Sequence, residues 1–183
     1  MSRYRRAAVP GAAYFFTLTT YRREPLLTHA EVLAALRSAH RMVRTTRPFR
    51  VEAMVVLPDH LHAVWNLPPE DAEYAIRWSL IKRQVSQAAR HLLHASQSAS
   101  RHQRRELALW QRRYWEHRIR DEADYARHVD YIHYNPVKHG LVSEVAQWPY
   151  SSFHRFVRLG LHTPDWGGTA PSRAEGGDGE FGE

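Results

Sequence analysis

The sequence predicts an α+β domain built on a ferredoxin-like (split β-α-β) antiparallel sheet with helices packed on one face. Three observations predict it. The elements alternate as strand, helix, strand, strand, helix, strand; two of the strands are parted only by a Pro58-Asp59 turn, which suits a hairpin; and 183 residues are enough to bury one core. The chain has no cysteine, which excludes disulfides, zinc ribbons and thiol catalysis.

The first strand is read from "AAYFFTLTTYRR", rich in aromatic and β-branched residues, over Ala13 to Tyr21. In "THAEVLAALRSAHRMVRTT" Thr28 can cap a helix whose Val32, Leu33, Leu36 and Val43 recur at helical spacing. A second strand, Arg50 to Leu57, stops at Pro58-Asp59, and a third runs from His60 to "NLPP". A second helix is expected from about Pro69 to Leu93, with Ala72, Ile76, Leu80 and Ile81 on its apolar face. "ASQSASRHQRR", Ala95 to Arg105, lacks apolar periodicity and reads as a mobile basic loop. A fourth strand fits within "LALWQRRYWEHRI", and "DEADYARHVDYIHYN" starts with acids as a helix should. From Gly167 the chain carries six of its nine glycines, so residues 1–166 are expected to form one domain and 167–183 a disordered tail.

Charge narrows the partner. The net charge of +7 averages over an acidic tail; residues 1–163 hold 25 basic and 14 acidic side chains, a net of +11. A surface of that sign favours a polyanion, because neutralising phosphates releases condensed counterions. No apolar run approaches the roughly 20 residues that span a bilayer, and the N-terminal residues lack a signal-peptide core, so a cytoplasmic protein is expected.

Two stretches carry chemistry. In a strand, side chains at i and i+2 share a face, so His60 and His62 stand side by side while Leu61 points the other way into the core. Such a pair is either half of a metal site or a solvated chance pairing in a chain with 13 histidines. The second stretch is "DYARHVDYIHYNPVKHGLV". At about 100° per residue, Tyr125, Val129 and Ile132 form a core stripe, and Asp124, His128, Tyr131 and Asn135 form another roughly 110° around. Tyr134 falls on neither. Tyr131 is thus placed either as a nucleophile with the Asn135 amide one turn on as a metal ligand, or as an amphipathic tyrosine with a packed ring and a wet hydroxyl.

These segments together resemble the single-tyrosine HUH transposases, and more closely the REP-associated tyrosine transposases of bacteria. "LPDHLHAVWNLP" looks like the family's His-hydrophobic-His segment, "YIHYNPVKHGLV" like its tyrosine motif followed by Asn-Pro, and "WPYSSFHRFV" like its C-terminal signature; "PGAAYFFTLTTYRR" also fits. The resemblance spans about Tyr4 to Trp166. It implies that His60 and His62 bind a metal, that Tyr131 is the nucleophile, and that Asn135 stands where relatives in the wider group carry a glutamine ligand, an arm longer by one methylene.

The activity so implied is attack by the tyrosine hydroxyl on single-stranded DNA, giving a 5′-phosphotyrosine and a free 3′-hydroxyl that a second strand end can reverse. Tyrosine ionises near pH ~10, so it needs assistance at neutral pH. Imidazole and oxygen ligation suits Mg²⁺ or Mn²⁺. The expected DNA is a repetitive extragenic palindrome folded as a hairpin, met in the bacterial nucleoid by a monomer or homodimer. Phosphate contacts are expected from Arg3, Arg5 and Arg6, from Arg77, Lys82 and Arg83 on the second helix, and from Arg112, Arg113 and Arg118 around the fourth strand. Trp65, Trp110, Trp115 and Tyr114 are candidates for base stacking or for core packing. Two other classes stay open: a nucleic-acid-binding module without chemistry, and a metal-dependent nuclease that uses water and tolerates Tyr131→Phe. A carboxylate-triad transposase lacks any recognisable constellation of acids.

Overall fold

The structure, a computed structural model, describes residues 9–93 and 109–167. Strands β1 (Ala13–Thr19), β2 (Arg50–Val56), β3 (His60–Asn66) and β4 (Trp115–Arg118) form one sheet in the order β2-β3-β1-β4, every neighbouring pair antiparallel. Helices α1 (Ala30–Thr46) and α2 (Tyr74–Ala88) join the strands in the expected split β-α-β order; α3 (Glu122–Lys138) and α4 (Phe153–Arg158) follow. The expected loop at 95–105, the N-terminal arginines and all of the expected tail after Gly167 lie outside the described residues. Among the described residues no helix is long and apolar enough to cross a membrane.

The helices cover both faces of the sheet, which corrects the expectation of one. Tyr14, Phe16 and Leu18 of β1 join Leu61, Ala63 and Trp65 of β3 under α1 and α2. Phe15 and Val64 join Ala53, Val55 and Leu57 under Val129, Tyr131 and Ile132 of α3 and Phe156 of α4. A sheet buried on both faces has no polar side to alternate with, which is why "AYFFTLT" reads as a near-continuous apolar run.

Local chemistry sets the element ends. Thr28 does not cap α1: the N-cap is His29, without a side-chain capping bond. Helix α2 starts later than expected, because Asp71 folds the preceding loop by accepting the Glu73 N–H at 2.7 Å. At α3, Asp121 accepts the Asp124 N–H at 2.8 Å. That helix ends in a Schellman turn, with Gly140 at φ +65° and bonds from Gly140 N to Val137 O and from Leu141 N to Pro136 O. A side chain at Gly140 would be strained by that φ.

"WPYSS" closes the free edge of β2. Val56 N donates to Tyr150 O at 2.9 Å, Ser152 N to Met54 O at 2.8 Å, and Trp148 Nε1 to Val56 O at 3.0 Å. An edge strand left bare would template pairing with another chain. Arg155 of α4 donates to the carbonyls of Val51 and Glu52, where the β2–β3 register shifts and ladder partners are lost.

Candidate active site

Strand register brings the two histidines under α3. His60 lies opposite Thr19 and His62 opposite Thr17, on the face that carries Phe15. Both imidazoles are buried, not solvated. Each is tied back through Nδ1: His60 to Asp59 Oδ1 at 2.6 Å and His62 to Thr17 Oγ1 at 2.9 Å. A ring whose Nδ1–H donates to a carboxylate presents a lone pair at Nε2, the usual outer-shell arrangement of a metal-binding histidine. Burial pushes the Asp59 carboxyl up, but the bonds from His60 and Arg23 prevail and hold it below the ordinary carboxylate range. Arg23 Nη1 reaches Asp59 Oδ2 at 3.2 Å from a turn in which Arg22 and Arg23 both have positive φ, 56° and 53°. Two left-handed non-glycine residues in succession store strain on the order of 1–3 kcal/mol each, at a turn that holds the carboxylate bonded to His60.

The α3 face completes the group. Tyr131 is 2% exposed, with its ring 5.2 Å from that of His62 at 74° and 6.1 Å from that of Phe15. Lys138 Nζ donates to the Tyr131 hydroxyl at 3.3 Å and lies 4.9 Å from its ring centre. His139, one residue on, sets its ring 5.1 Å from that of His60. Asn135 is fully buried between Tyr131 and His139 on the same helical row. Two oriented imidazoles on β3 and a buried amide on the helix packed over them are donor types that suit a hard or borderline divalent cation. The expected stripe of Asp124, His128, Tyr131 and Asn135 is buried along its length.

At the start of α3, Asp124 draws a second polar group together. Its carboxylate accepts from His117 Nε2 (2.9 Å), Arg120 N (3.0 Å) and Arg127 Nη2 (3.0 Å). His128 Nδ1 donates to the Asp124 carbonyl at 2.8 Å, and its ring stacks on His117 at 4.7 Å and 14°. Burial opposes ionisation of Asp124, yet these donors hold its carboxyl far below the ordinary value. The potential ligand atoms of His117, Asp124 and His128 lie within 4.8 Å of one another. The guanidiniums of Arg127 and of Arg120, whose Nε lies 3.3 Å from Oδ2, are already on the carboxylate and argue against a cation there. The cluster instead clamps β4 to the helix that carries Tyr131.

The cations expected to contact phosphate divide three ways. Arg77 is a correction: its side chain is 0% exposed, Nη1 and Nη2 bind both oxygens of Asp71 at 2.8 and 2.6 Å, and Nε and Nη2 donate to the carbonyls of Arg47 and Pro48. Its role is structural, because no donor edge faces solvent. Lys82 donates to Gln111 O at 2.8 Å, and Arg83, Arg112, Arg113 and Arg118 are exposed. Lys82 and Arg83 sit on α2, and Arg118 pairs with Tyr14, so all three lie across the sheet from the histidines. Arg3, Arg5 and Arg6 lie outside the described residues. Arg120, Arg127 and Lys138, which residue types alone did not single out, are further cations on the histidine side, beside Arg23 and Arg155.

The aromatic residues separate as sharply. Trp65 is core, stacked on Trp78 at 3.9 Å; Trp110 is also buried, and Tyr114 is half-buried beside Lys82. Trp115 is 39% exposed and pairs with Thr17, which places it in the cross-strand row of His62. Asp59, Thr17, Lys138 and His139 were all missed by reading residue types. Their only local signals were adjacency to His60 for Asp59 and the helix-ending "VKHG" for the last two.

Comparison with known proteins identifies the family. A family profile described as "Transposase IS200 like" matches residues 8–135, which include His60, His62, Tyr131 and Asn135. The chain is 44% identical to the REP-associated tyrosine transposase of Escherichia coli, over 92% of both proteins. It is 42% identical to the Haemophilus influenzae protein of that name, over 96% of this chain and 99% of the other. A solved structure of a REP-associated tyrosine transposase bound to a REP hairpin superposes with a TM-score of 0.76 at 43% identity, covering 92% of each chain.

Proposed function

The chain belongs to the IS200-like transposases, among them the REP-associated tyrosine transposases, and from that premise we propose that it cleaves and rejoins single-stranded DNA at REP-type hairpins through a covalent link to Tyr131. The observation that carries the reading is the seating of the Tyr131 ring 5.2 Å from His62 with the Lys138 ammonium on its hydroxyl. A nucleophile, a cation-binding pair and a positive charge then meet at one phosphate.

In this reading the Tyr131 oxygen attacks the scissile phosphorus and the bond to the 3′ oxygen breaks. The phenolic proton passes to solvent, the departing 3′ oxygen takes one up from solvent, and the strand is left with a free 3′-hydroxyl and a 5′-phosphotyrosine. Lys138 stabilises the phenolate as it develops. His60, His62 and Asn135 hold Mg²⁺ or Mn²⁺, which when bound supplies charge for the scissile phosphate and the leaving oxygen. Asp59 and Thr17 fix the two rings in the ligating orientation. Trp115 stacks an unpaired base beside the cleavage point, and Arg112 and Arg113, with Arg120 and Arg127, contact phosphates. One nucleophile per chain holds one DNA end, so joining two ends uses either two chains or one chain twice. Acting on chromosomal palindromes places the protein at the bacterial nucleoid, in the cytoplasm.

The test incubates the full chain with hairpin DNA carrying a 5′ single-stranded flank, drawn from host palindromes, plus manganese, and reads a denaturing gel. Wild type is expected to form a covalent protein–DNA adduct that Tyr131→Phe lacks. Cleavage surviving in Tyr131→Phe without an adduct would mark a water-using nuclease. Tight binding without cleavage would mark a binding module.

A further inference from the structure

Arg22 and Arg23, in the turn that follows β1, hold the left-handed backbone at φ 56° and 53°. Glycine at either position would keep the turn's backbone bonds, Arg23 N to Thr20 O at 3.2 Å and Glu24 N to Tyr21 O at 3.3 Å, without the strain. No residue of the turn is buried, so core packing does not offset it. A side chain is therefore the reason to look for. The Arg22 guanidinium lies over the neighbouring Tyr21 ring, 5.3 Å from its centre. That of Arg23 reaches out of the turn to Asp59 Oδ2 at 3.2 Å. As an ion pair this contact stabilises little, because the Arg23 side chain is 49% exposed. We infer that Arg23 is a positioning residue for His60, acting through the Asp59 carboxylate. The inference rests on the reading that His60 serves the cleavage chemistry.

Asp59 is fixed at both ends. Its carbonyl accepts from Thr20 N at 2.8 Å and from Thr20 Oγ1 at 2.9 Å. Its carboxylate accepts from Arg23 on Oδ2 and from His60 Nδ1 on Oδ1, the latter at 2.6 Å. With a charged donor on one oxygen and the imidazole on the other, the carboxylate plane cannot turn without breaking a bond. An oxygen that only accepts puts the His60 proton on Nδ1 and makes Nε2 the basic nitrogen of the ring. Without Arg23 the carboxylate, 22% exposed, is free to rotate toward water, and the ring loses the support of both its plane and its tautomer. Arg23 and Asp59 are 36 residues apart in the chain, and the pairing of Thr19 with His60 is what brings them together.

The experiment uses Arg23→Gly, which suits the left-handed backbone and removes only the side chain. Beside it stands Arg22→Gly, which relieves the same kind of strain and leaves Asp59 untouched. Mn²⁺ is titrated into the metal-free full chain without DNA and followed by its free-ion magnetic resonance signal. The His60 tautomer is read from the ring nitrogen-15 resonances, assigned by difference with His60→Ala. Both glycine variants are expected to melt close to wild type, the strain relieved roughly offsetting the added freedom of the unfolded chain. Arg23→Gly should nonetheless weaken Mn²⁺ by about 3–10-fold, less than the roughly 10–100-fold expected of Asp59→Ala, the direct partner of the ring. It should also move His60 part-way to the Nε2–H form. Arg22→Gly should do neither, and a purely structural Arg23 would lose affinity only together with stability. Because Arg23 acts through Asp59, adding Arg23→Gly to Asp59→Ala should cost nothing further. Unchanged affinity and tautomer in Arg23→Gly, or a full additional loss on the Asp59→Ala background, overturns the inference. Undiminished Mn²⁺ binding in His60→Ala would instead sink the cation reading, and the tautomer comparison would then decide the role of Arg23 by itself.

Discussion

Replacing Lys138 by methionine keeps the stem over the Tyr131 ring and removes the charge from its hydroxyl. At the 3.3 Å separation, a unit positive charge stabilises a full phenolate by about 5 kcal/mol at an effective dielectric of about 20, and by about 1 kcal/mol in water. The ammonium is exposed and the phenol is buried, so the working value lies between, at about 2–3 kcal/mol. That corresponds to roughly 30–150-fold in the cleavage rate. The assay is single-turnover formation of the covalent adduct on a saturating hairpin, measured against pH. Lys138→Met should be slowest relative to wild type near neutrality. The deficit should close as pH rises toward about 10, where an unassisted phenol ionises. Lys138→Arg should recover part of the rate. A deficit that stays constant across that range, or one explained wholly by weaker hairpin binding, would refute the electrostatic role.

Two further outcomes follow from the packing. Arg77→Ala should destabilise the fold by about 3–5 kcal/mol in urea, because it leaves Asp71 and two backbone carbonyls without their donor, yet leave hairpin affinity of the folded protein unchanged; normal stability with weakened binding would restore Arg77 as a phosphate contact. The second outcome concerns pH. Burial lowers His133 from 6.5 to about 3, helped by the charges of His162 and Arg155, and lowers His40 from 6.5 to about 4. Because both values are lower in the fold, the unfolded chain takes up these protons first. Stability should be full above pH 6.5 and fall as pH drops toward 4, by at most about 1.4 kcal/mol per pH unit for each histidine. Asp59, Asp71 and Asp124 act in a different window, since their lowered values cost stability only when pH falls below the ordinary 3.8. His162 is lowered by burial as well and shares this window, so His133→Gln should flatten the slope between about pH 6 and about pH 4.5 by about a third to a half, and an unchanged slope in denaturant titrations would show that the buried His133 is not its source.

Much of the site was legible because its signals are periodic. A strand repeats every two residues, so "HLH" fixes two imidazoles on one face whatever lies opposite. A helix repeats every 3.6, so Asp124, His128, Tyr131 and Asn135 had to share a stripe. What failed was any judgement of environment. Arg77 and the exposed Arg83 are both basic residues on one helix, and nothing in the sequence marks the first as buried against Asp71. Trp65 and Trp115 looked equally able to stack a base until register and burial separated them. The single-face expectation failed for a related reason: strands buried on both sides lose the polar alternation that would reveal a second layer.

By itself the sequence determined the order of elements, the strand that carries His60 and His62, the helix that carries Tyr131 and Asn135, and, through the ordered motifs, the family. Those are consequences of covalent spacing, which folding cannot change. Only the tertiary structure decided that α3 crosses the histidine face, that Asp59 and Thr17 orient the two rings, that Lys138 reaches the Tyr131 hydroxyl and that His139 comes to His60. Each is a contact between backbone segments whose approach is set by the packing of two cores, and packing depends on the whole set of buried volumes rather than on any local pattern.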